Sequence, residues 1–231
     1  VAVAKASADS VKRVSQELGG KSANIILDDD AFESSISKGV NLCMNNTGQS
    51  CNAPTRMLIP SSRKSEAFQI ARKTAEQVVV GDPKEDSTVV GPLVSAVQYE
   101  KGQSLIETGL EEGATLLTGG AGKPDGLNRG YYVKPTVFGD VKNDMTIARE
   151  EIFGPVLSMI TYDDIADAVA IANDTDYGLA AYVSGQDKDT LTAIGRQLRA
   201  GQVHVNYGSG GADAPFGGYK QSGNGREKAE W

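Results

Sequence analysis

Two side chains in this sequence sit where covalent chemistry could be done. Cys51 lies in the run Asn46-Thr47-Gly48-Gln49-Ser50-Cys51-Asn52-Ala53-Pro54, where an apolar-patterned helix gives way to a polar turn. A reactive thiol needs partial exposure and polar neighbours to form thiolate, and Gly48, Gln49, Ser50 and Asn52 provide such surroundings. A lone cysteine is more often a small core residue. Cys43, on the apolar face of the preceding helix, reads that way. Glu17 is the second candidate. It precedes Leu18-Gly19-Gly20-Lys21, and the two glycines let the backbone pass closely against another part of the molecule. A carboxylate in such a place can reach a bound water and act as general base. Thiol and carboxylate together are the parts of a nucleophile and its base.

Other runs are weaker on their own. Glu150-Glu151-Ile152-Phe153-Gly154-Pro155 reads as a charged helix end before a strand, and Pro215-Phe216-Gly217-Gly218-Tyr219-Lys220 as a tight aromatic-anchored turn. His204 is the single histidine and lies between Val203 and Val205 in a strand pattern, which favours a structural role. One histidine also weakens a cysteine–histidine hydrolase and a multi-histidine metal site.

These residues must be positioned by alternating strands and helices. The pattern predicts a helix over 4–13, a short strand over 13–17, and a second strand at Asn24–Leu27. From Phe32, the positions Ile36, Val40, Cys43 and Met44 recur at helical spacing, and Gly48 ends that helix. A strand at 56–59, helices at 60–78 and 95–113, and a glycine-rich loop at 118–130 follow. Beyond the loop, strands at 156–162, 180–184 and 202–205 alternate with helices at 165–172 and 190–198. Such alternation implies an α/β fold, a largely parallel twisted sheet with flanking crossover helices. The glycine-rich stretch 207–226 is expected to be a mobile or closely packed loop.

Composition bounds the function. The 231 residues, 39% hydrophobic and 23% charged, match an ordinary globular domain large enough for a sizeable core. A net charge of −7 argues against nucleic acid and anionic membrane as partners. No apolar run is long enough to span a bilayer. The first residues do not read as a signal peptide, and two cysteines give no disulfide framework, so a cytoplasmic setting is expected.

Taken together, Glu-Leu-Gly-Gly-Lys at 17–21, Gly-Gln-Ser-Cys at 48–51, Glu-Glu-Ile-Phe-Gly-Pro at 150–155 and Pro-Phe-Gly-Gly-Tyr-Lys-Gln-Ser-Gly at 215–223 resemble the NAD(P)-dependent aldehyde dehydrogenase superfamily. Gly91-Pro92 and Lys134-Pro135-Thr136-Val137 also fit, and the resemblance runs over essentially the whole chain. It implies that Cys51 attacks an aldehyde carbonyl and passes through a thiohemiacetal and a thioester. It makes Glu17 the base that activates the hydrolytic water. Glu151 would hold the nicotinamide ribose, with Phe153 packing near the nicotinamide. Gln98 would lie near the ribose, and the Leu18 carbonyl would contact the carboxamide. Phe216, Ser50 and Asn52 would line the substrate tunnel. The cofactor implied is NAD or NADP, with no metal, and the parent enzyme is expected to be a homo-oligomer.

The resemblance also sets expectations about what lies outside the chain. The 231 residues correspond to a single catalytic domain, with 1–16 and 224–231 as boundary segments. The family's dinucleotide-binding domain and the strand used in subunit pairing are not among them, so little NAD-dependent oxidation is expected from the chain alone. Glycines and alanine dominate the loop from Tyr207 to Asp213, which points to a wide tunnel mouth and a medium or bulky aldehyde. Two readings compete: a CoA-acylating or reductive relative, against which Glu17 argues, and a non-catalytic binding module. A low-pKa, quickly alkylated Cys51 would favour a working site, and an inert thiol would favour the module.

Overall fold

The computed structural model describes residues 2–208, 210–211 and 213–228. Short apolar runs form a seven-stranded sheet from β1 (Ala23–Ile26), β2 (Arg56–Pro60), β3 (Thr115–Thr118), β4 (Thr136–Gly139), β5 (Val156–Tyr162), β7 (Ala180–Ser184) and β8 (Gln202–Val205). The spatial order is β3-β4-β5-β2-β1-β7-β8, parallel throughout except for the antiparallel β3–β4 edge. β6 (Tyr177–Gly178) and β9 (Tyr219–Lys220) make a separate antiparallel pair.

The central strands β1, β2 and β7 are buried at every position, as expected of parallel strands covered on both faces. On one face α2 (Phe32–Met44) and α3 (Lys64–Glu76) pack Ile36, Val40, Met44, Ala67 and Ala71 against Met57, Ile59 and Met159. On the other, α6 (Ile165–Asn173) and α7 (Lys188–Gly195) pack Ala168, Ala172, Leu191 and Ile194 against Ile25, Leu58 and Val183. A third cluster joins α4 (Ala96–Glu111) and α5 (Thr146–Arg149) to β4 and β5 through Ile106, Ile147 and Phe138.

Several boundaries differ from expectation for identifiable reasons. The first helix, α1 (Ala2–Ser7), gives way to a 3-10 turn over Ala8–Ser10 and stops at Val11, whose φ is 52°. Residues 13–17 form no strand. The segment instead hangs on single backbone bonds, Gln16 N–H to the Asn224 carbonyl and Leu18 N–H to the Ser222 carbonyl. α2 ends at Met44 rather than at Gly48, because Asn46, Thr47 and Gly48 all take positive φ. Pro60 closes β2, and a 3-10 turn at Ser61–Arg63 precedes α3. Asp187 starts α7 early by capping Thr190 N–H. The edge strand β3 falls just before the glycine-rich loop, and its exposed start carries little apolar signal.

Candidate active site

Parallel strands bring distant loops to one end of the sheet. The Glu17–Lys21 bend leads into β1, the Cys51 turn into β2, and the Glu151–Gly154 loop into β5. All three meet at the amino ends of adjacent strands, opposite to the carboxyl-end crevice that open α/β sheets commonly use.

The Cys51 turn is closed by Ala53 N–H donating to the Ser50 carbonyl at 3.1 Å, and the Ser50 hydroxyl donates to Asn52 Oδ1 at 2.8 Å. Cys51, Ser50 and Asn52 are all half-buried. Among the described residues, no acceptor on another residue takes the Cys51 backbone N–H, which leaves it free as a donor at the turn. Burial, followed by the thiol's hydrogen bond to the Glu17 carboxylate and that carboxylate's charge, pushes the Cys51 thiol up to about 12. The raised value means that the free thiol, not a standing thiolate, is the form at neutral pH. Glu17 faces the sulfur as a proton acceptor, and a carboxylate beside a thiol disfavours thiolate. Glu17 Oε1 is buried with no hydrogen-bond partner among the described residues. Cys43 also sits at about 12 through burial, fully enclosed, with its thiol toward the Val156 carbonyl at 3.7 Å.

The two glycines after Leu18 have a steric reason. A Cβ on Gly20 would overlap the Cys51 carbonyl oxygen, and one on Gly19 would overlap the Glu151 carboxylate. The bend is thus wedged between the Cys51 turn and the Glu151 loop, and Glu151 Oε1 accepts from Gly20 N–H at 2.9 Å. Burial raises the Glu151 pKa, opposed by that bond and by Lys101 and Lys21.

Gln98 is placed by α4 with its amide donating to the Ile152 and Phe153 carbonyls at 2.7 and 3.0 Å. It clamps a loop in which Phe153 carries φ 57°, an uncommon conformation for an aromatic residue. Leu18 is 42% exposed, and no described residue donates to its carbonyl. Phe216 lies on a separate strap, its backbone paired with Glu227 in both directions at 2.7 Å. In the loop expected to shape the tunnel mouth, Tyr207 is anchored by its hydroxyl to the Ser35 carbonyl at 2.6 Å. Ser209 and Ala212 of that loop lie outside the described residues.

Three supporting residues carry no distinctive sequence signal of their own. Ser222 is fully buried; its hydroxyl donates to the Gly19 carbonyl at 2.7 Å and accepts from Gly178 N–H at 3.0 Å. The 215–223 run therefore braces the Glu17 bend. Arg56 is also fully buried, and its guanidinium donates to the Lys21, Ile171 and Ala172 carbonyls, each at 3.0 Å, and to Asn143 Oδ1 at 2.8 Å. Lys21 is 1% exposed, its ammonium has no partner among the described residues, and burial followed by nearby Arg56 lowers it to about 7.

Comparison with known proteins places the chain in a family. The aldehyde dehydrogenase family matches residues 1–231. The chain is 53% identical over 225 residues to a 3-succinoylsemialdehyde-pyridine dehydrogenase from a Pseudomonas species, covering 97% of this chain and 47% of that protein. It superposes with a TM-score of 0.97 and 52% identity on a cysteine-to-alanine variant of aldehyde dehydrogenase C from Pseudomonas syringae, solved with NAD+ and octanal. That match covers 99% of this chain and 47% of the other. A Mycobacterium tuberculosis aldehyde dehydrogenase solved with NAD+ matches at TM-score 0.95 and 44% identity, over 99% of this chain and 47% of its own. The chain spans about half the length of these relatives. On sequence and fold alike, the chain belongs to the aldehyde dehydrogenase family.

Proposed function

We propose that Cys51 is the covalent nucleophile, and Glu17 its general base, in the NAD(P)-dependent oxidation of an aldehyde. The observation that carries this reading is the Glu17 carboxylate against the Cys51 thiol, with Oε1 buried and unpartnered among the described residues. As the sulfur bonds to the aldehyde carbon, the thiol proton passes to Glu17, so no standing thiolate is required. The carbonyl oxygen gains negative charge beside the free Cys51 N–H, a preorganised donor of the oxyanion-hole kind.

The donors and acceptors present suit a nicotinamide: the free Leu18 carbonyl for a carboxamide, and the Glu151 carboxylate for ribose hydroxyls. Phe153 would flank the ring, with Gln98 acting on the cofactor through the loop it clamps. When bound, NAD(P) supplies the acceptor for the hydride that leaves the aldehyde carbon, so that a thioester remains on Cys51. Glu17 gives the thiol's proton up to solvent and then takes one from water as that water attacks the thioester, which releases the carboxylic acid and returns a proton to the Cys51 sulfur.

Ser50, Asn52 and Phe216 are proposed to line the aldehyde path. The relatives' names support an aldehyde larger than acetaldehyde, since one was solved with octanal and another is named for a pyridine-bearing semialdehyde.

The test is substitution in the whole protein that carries this chain. Cys51→Ala should abolish aldehyde oxidation, and Glu17→Gln should slow turnover by about 10²–10⁴. Substantial oxidation by Cys51→Ala would overturn the reading.

A further inference from the structure

We infer that Tyr182, backed by His204, is a positioning residue that holds the nucleophile turn so that the Cys51 thiol faces Glu17. The inference rests on the Cys51–Glu17 reading and extends it to two residues on strands beneath the turn.

The turn has three carbonyls to place. That of Ser50 is used internally, by Ala53 N–H. The Cys51 carbonyl lies against the Gly20 backbone, where a Cβ would overlap it. The Asn52 carbonyl accepts from the Tyr182 hydroxyl at 2.9 Å. Tyr182 is 4% exposed, so its hydroxyl cannot turn to bulk water without moving the ring. With all three carbonyls committed, the peptide planes are fixed on both sides of Cys51, and the direction of its side chain follows.

Tyr182 is itself held. β7 and β8 pair in register with Tyr182 opposite His204, and the two rings stack at 4.7 Å between centroids and 17° between planes. His204 Nδ1 lies 2.8 Å from the Gly208 carbonyl; a carbonyl only accepts, so Nδ1 carries the hydrogen. Tyr207 lies beside Tyr182 as well, at 6.2 Å between centroids and tilted by 34°, with its hydroxyl also accepting from Asn24 Nδ2 at 3.0 Å. The ring that reaches the Cys51 turn therefore has two aromatic neighbours, each anchored by its own hydrogen bond. Proximity of Tyr182 to the sulfur also shows in its raised pKa, where burial comes first and Cys51 second.

The experiment is alkylation by iodoacetamide across pH of the whole protein that carries this chain, with Cys51 and Cys43 followed separately by peptide mass. Cys43, fully buried, reports whether each variant stays folded. Tyr182→Phe removes only the hydroxyl. It should let the thiol swing from Glu17, lower the Cys51 midpoint by about one pH unit, and speed labelling below that midpoint by about tenfold. His204→Ala should do the same, and His204→Phe, which restores a ring against Tyr182, should recover most of the shift. In a Glu17→Gln background, Tyr182→Phe should add little, which a general loosening would not reproduce.

An unchanged midpoint in Tyr182→Phe and His204→Ala, or full additivity with Glu17→Gln, would overturn the inference while leaving the Cys51–Glu17 pair intact. Should Tyr182→Phe expose Cys43, the two His204 variants decide the matter in its place. A wild-type Cys51 midpoint that Glu17→Gln fails to move would remove the pairing itself, and this inference with it.

Discussion

Glu151 Oε1 accepts a hydrogen bond from Gly20 N–H at 2.9 Å, across 131 positions of sequence. The contact requires the bend to be bare of side chains, with the Glu151 carboxylate against Gly19 and the Cys51 carbonyl against Gly20.

Gly20→Ala should therefore damage the site as well as the fold. Its Cβ would overlap the Cys51 carbonyl, which is turn backbone and cannot rotate aside. Overpacking of this kind costs about 1–3 kcal/mol. Gly91→Ala is the control, because its nearest neighbour would be Pro83 Cβ at an ordinary 3.6 Å. Urea unfolding midpoints should fall clearly in the first variant and hardly in the second. Equal midpoints would show that the bend is looser than its contacts imply.

Glu17→Gln should make the Cys51 thiol easier to ionise. The carboxylate raises the thiol through a hydrogen bond and through charge, and a neutral amide removes the charge. The alkylation midpoint should move down from about 12 but stay above that of a free thiol, because burial is the larger cause. The same variant should lose turnover in the whole protein. Faster labelling together with slower catalysis would be the mark of a base, since a residue that merely stabilised thiolate would lose both.

Lys21 gives stability a pH dependence whose sign can be worked out. Its folded-state pKa is lowered to about 7, while an unfolded lysine titrates near 10.4. Between those values the unfolded chain binds more protons at this site, so its contribution to stability rises with pH through that window and levels off above it. Below about 7 the buried ammonium is charged in both states and the folded chain bears its full desolvation. Lys21→Met keeps the stem and removes the charge. Denaturant midpoints compared between wild type and variant from pH 6 to pH 10 should converge as pH rises. Parallel curves would show that the ammonium has a partner in solution.

Much of this arrangement was legible in the sequence because the relevant signals are local. The helix Phe32–Met44 could be read from its apolar spacing, and all four of Ile36, Val40, Cys43 and Met44 are buried. The structure brings Glu17 to Cys51 and Glu151 to the bend between them. What could not be read depends on partners distant in sequence. Arg56 is the second residue after a proline at the start of a strand, and nothing nearby marks it as a buried guanidinium bonded to 171 and 172. Ser222 looks like any hydroxyl in a glycine-rich loop until Gly19 and Gly178 are placed around it. Gln98 reads as a helix side chain, and the hydrogen bonds of its amide to the Phe153 loop could not be read from sequence. The direction in which the thiol is shifted could not be read either, because burial, its largest cause, depends on the packed fold.

The convergence of all three loops on the amino ends of β1, β2 and β5 has a kinetic consequence. The pairs β1–β2 and β2–β5 join segments far apart in the chain, and closing such long loops is slow and entropically unfavourable until the strands dock. Glu17 cannot meet Cys51 in a partly assembled sheet, so a chain caught midway through refolding carries two ordinary thiols and no proton acceptor beside either. The proposed proton transfer therefore depends on both strand registers being in place.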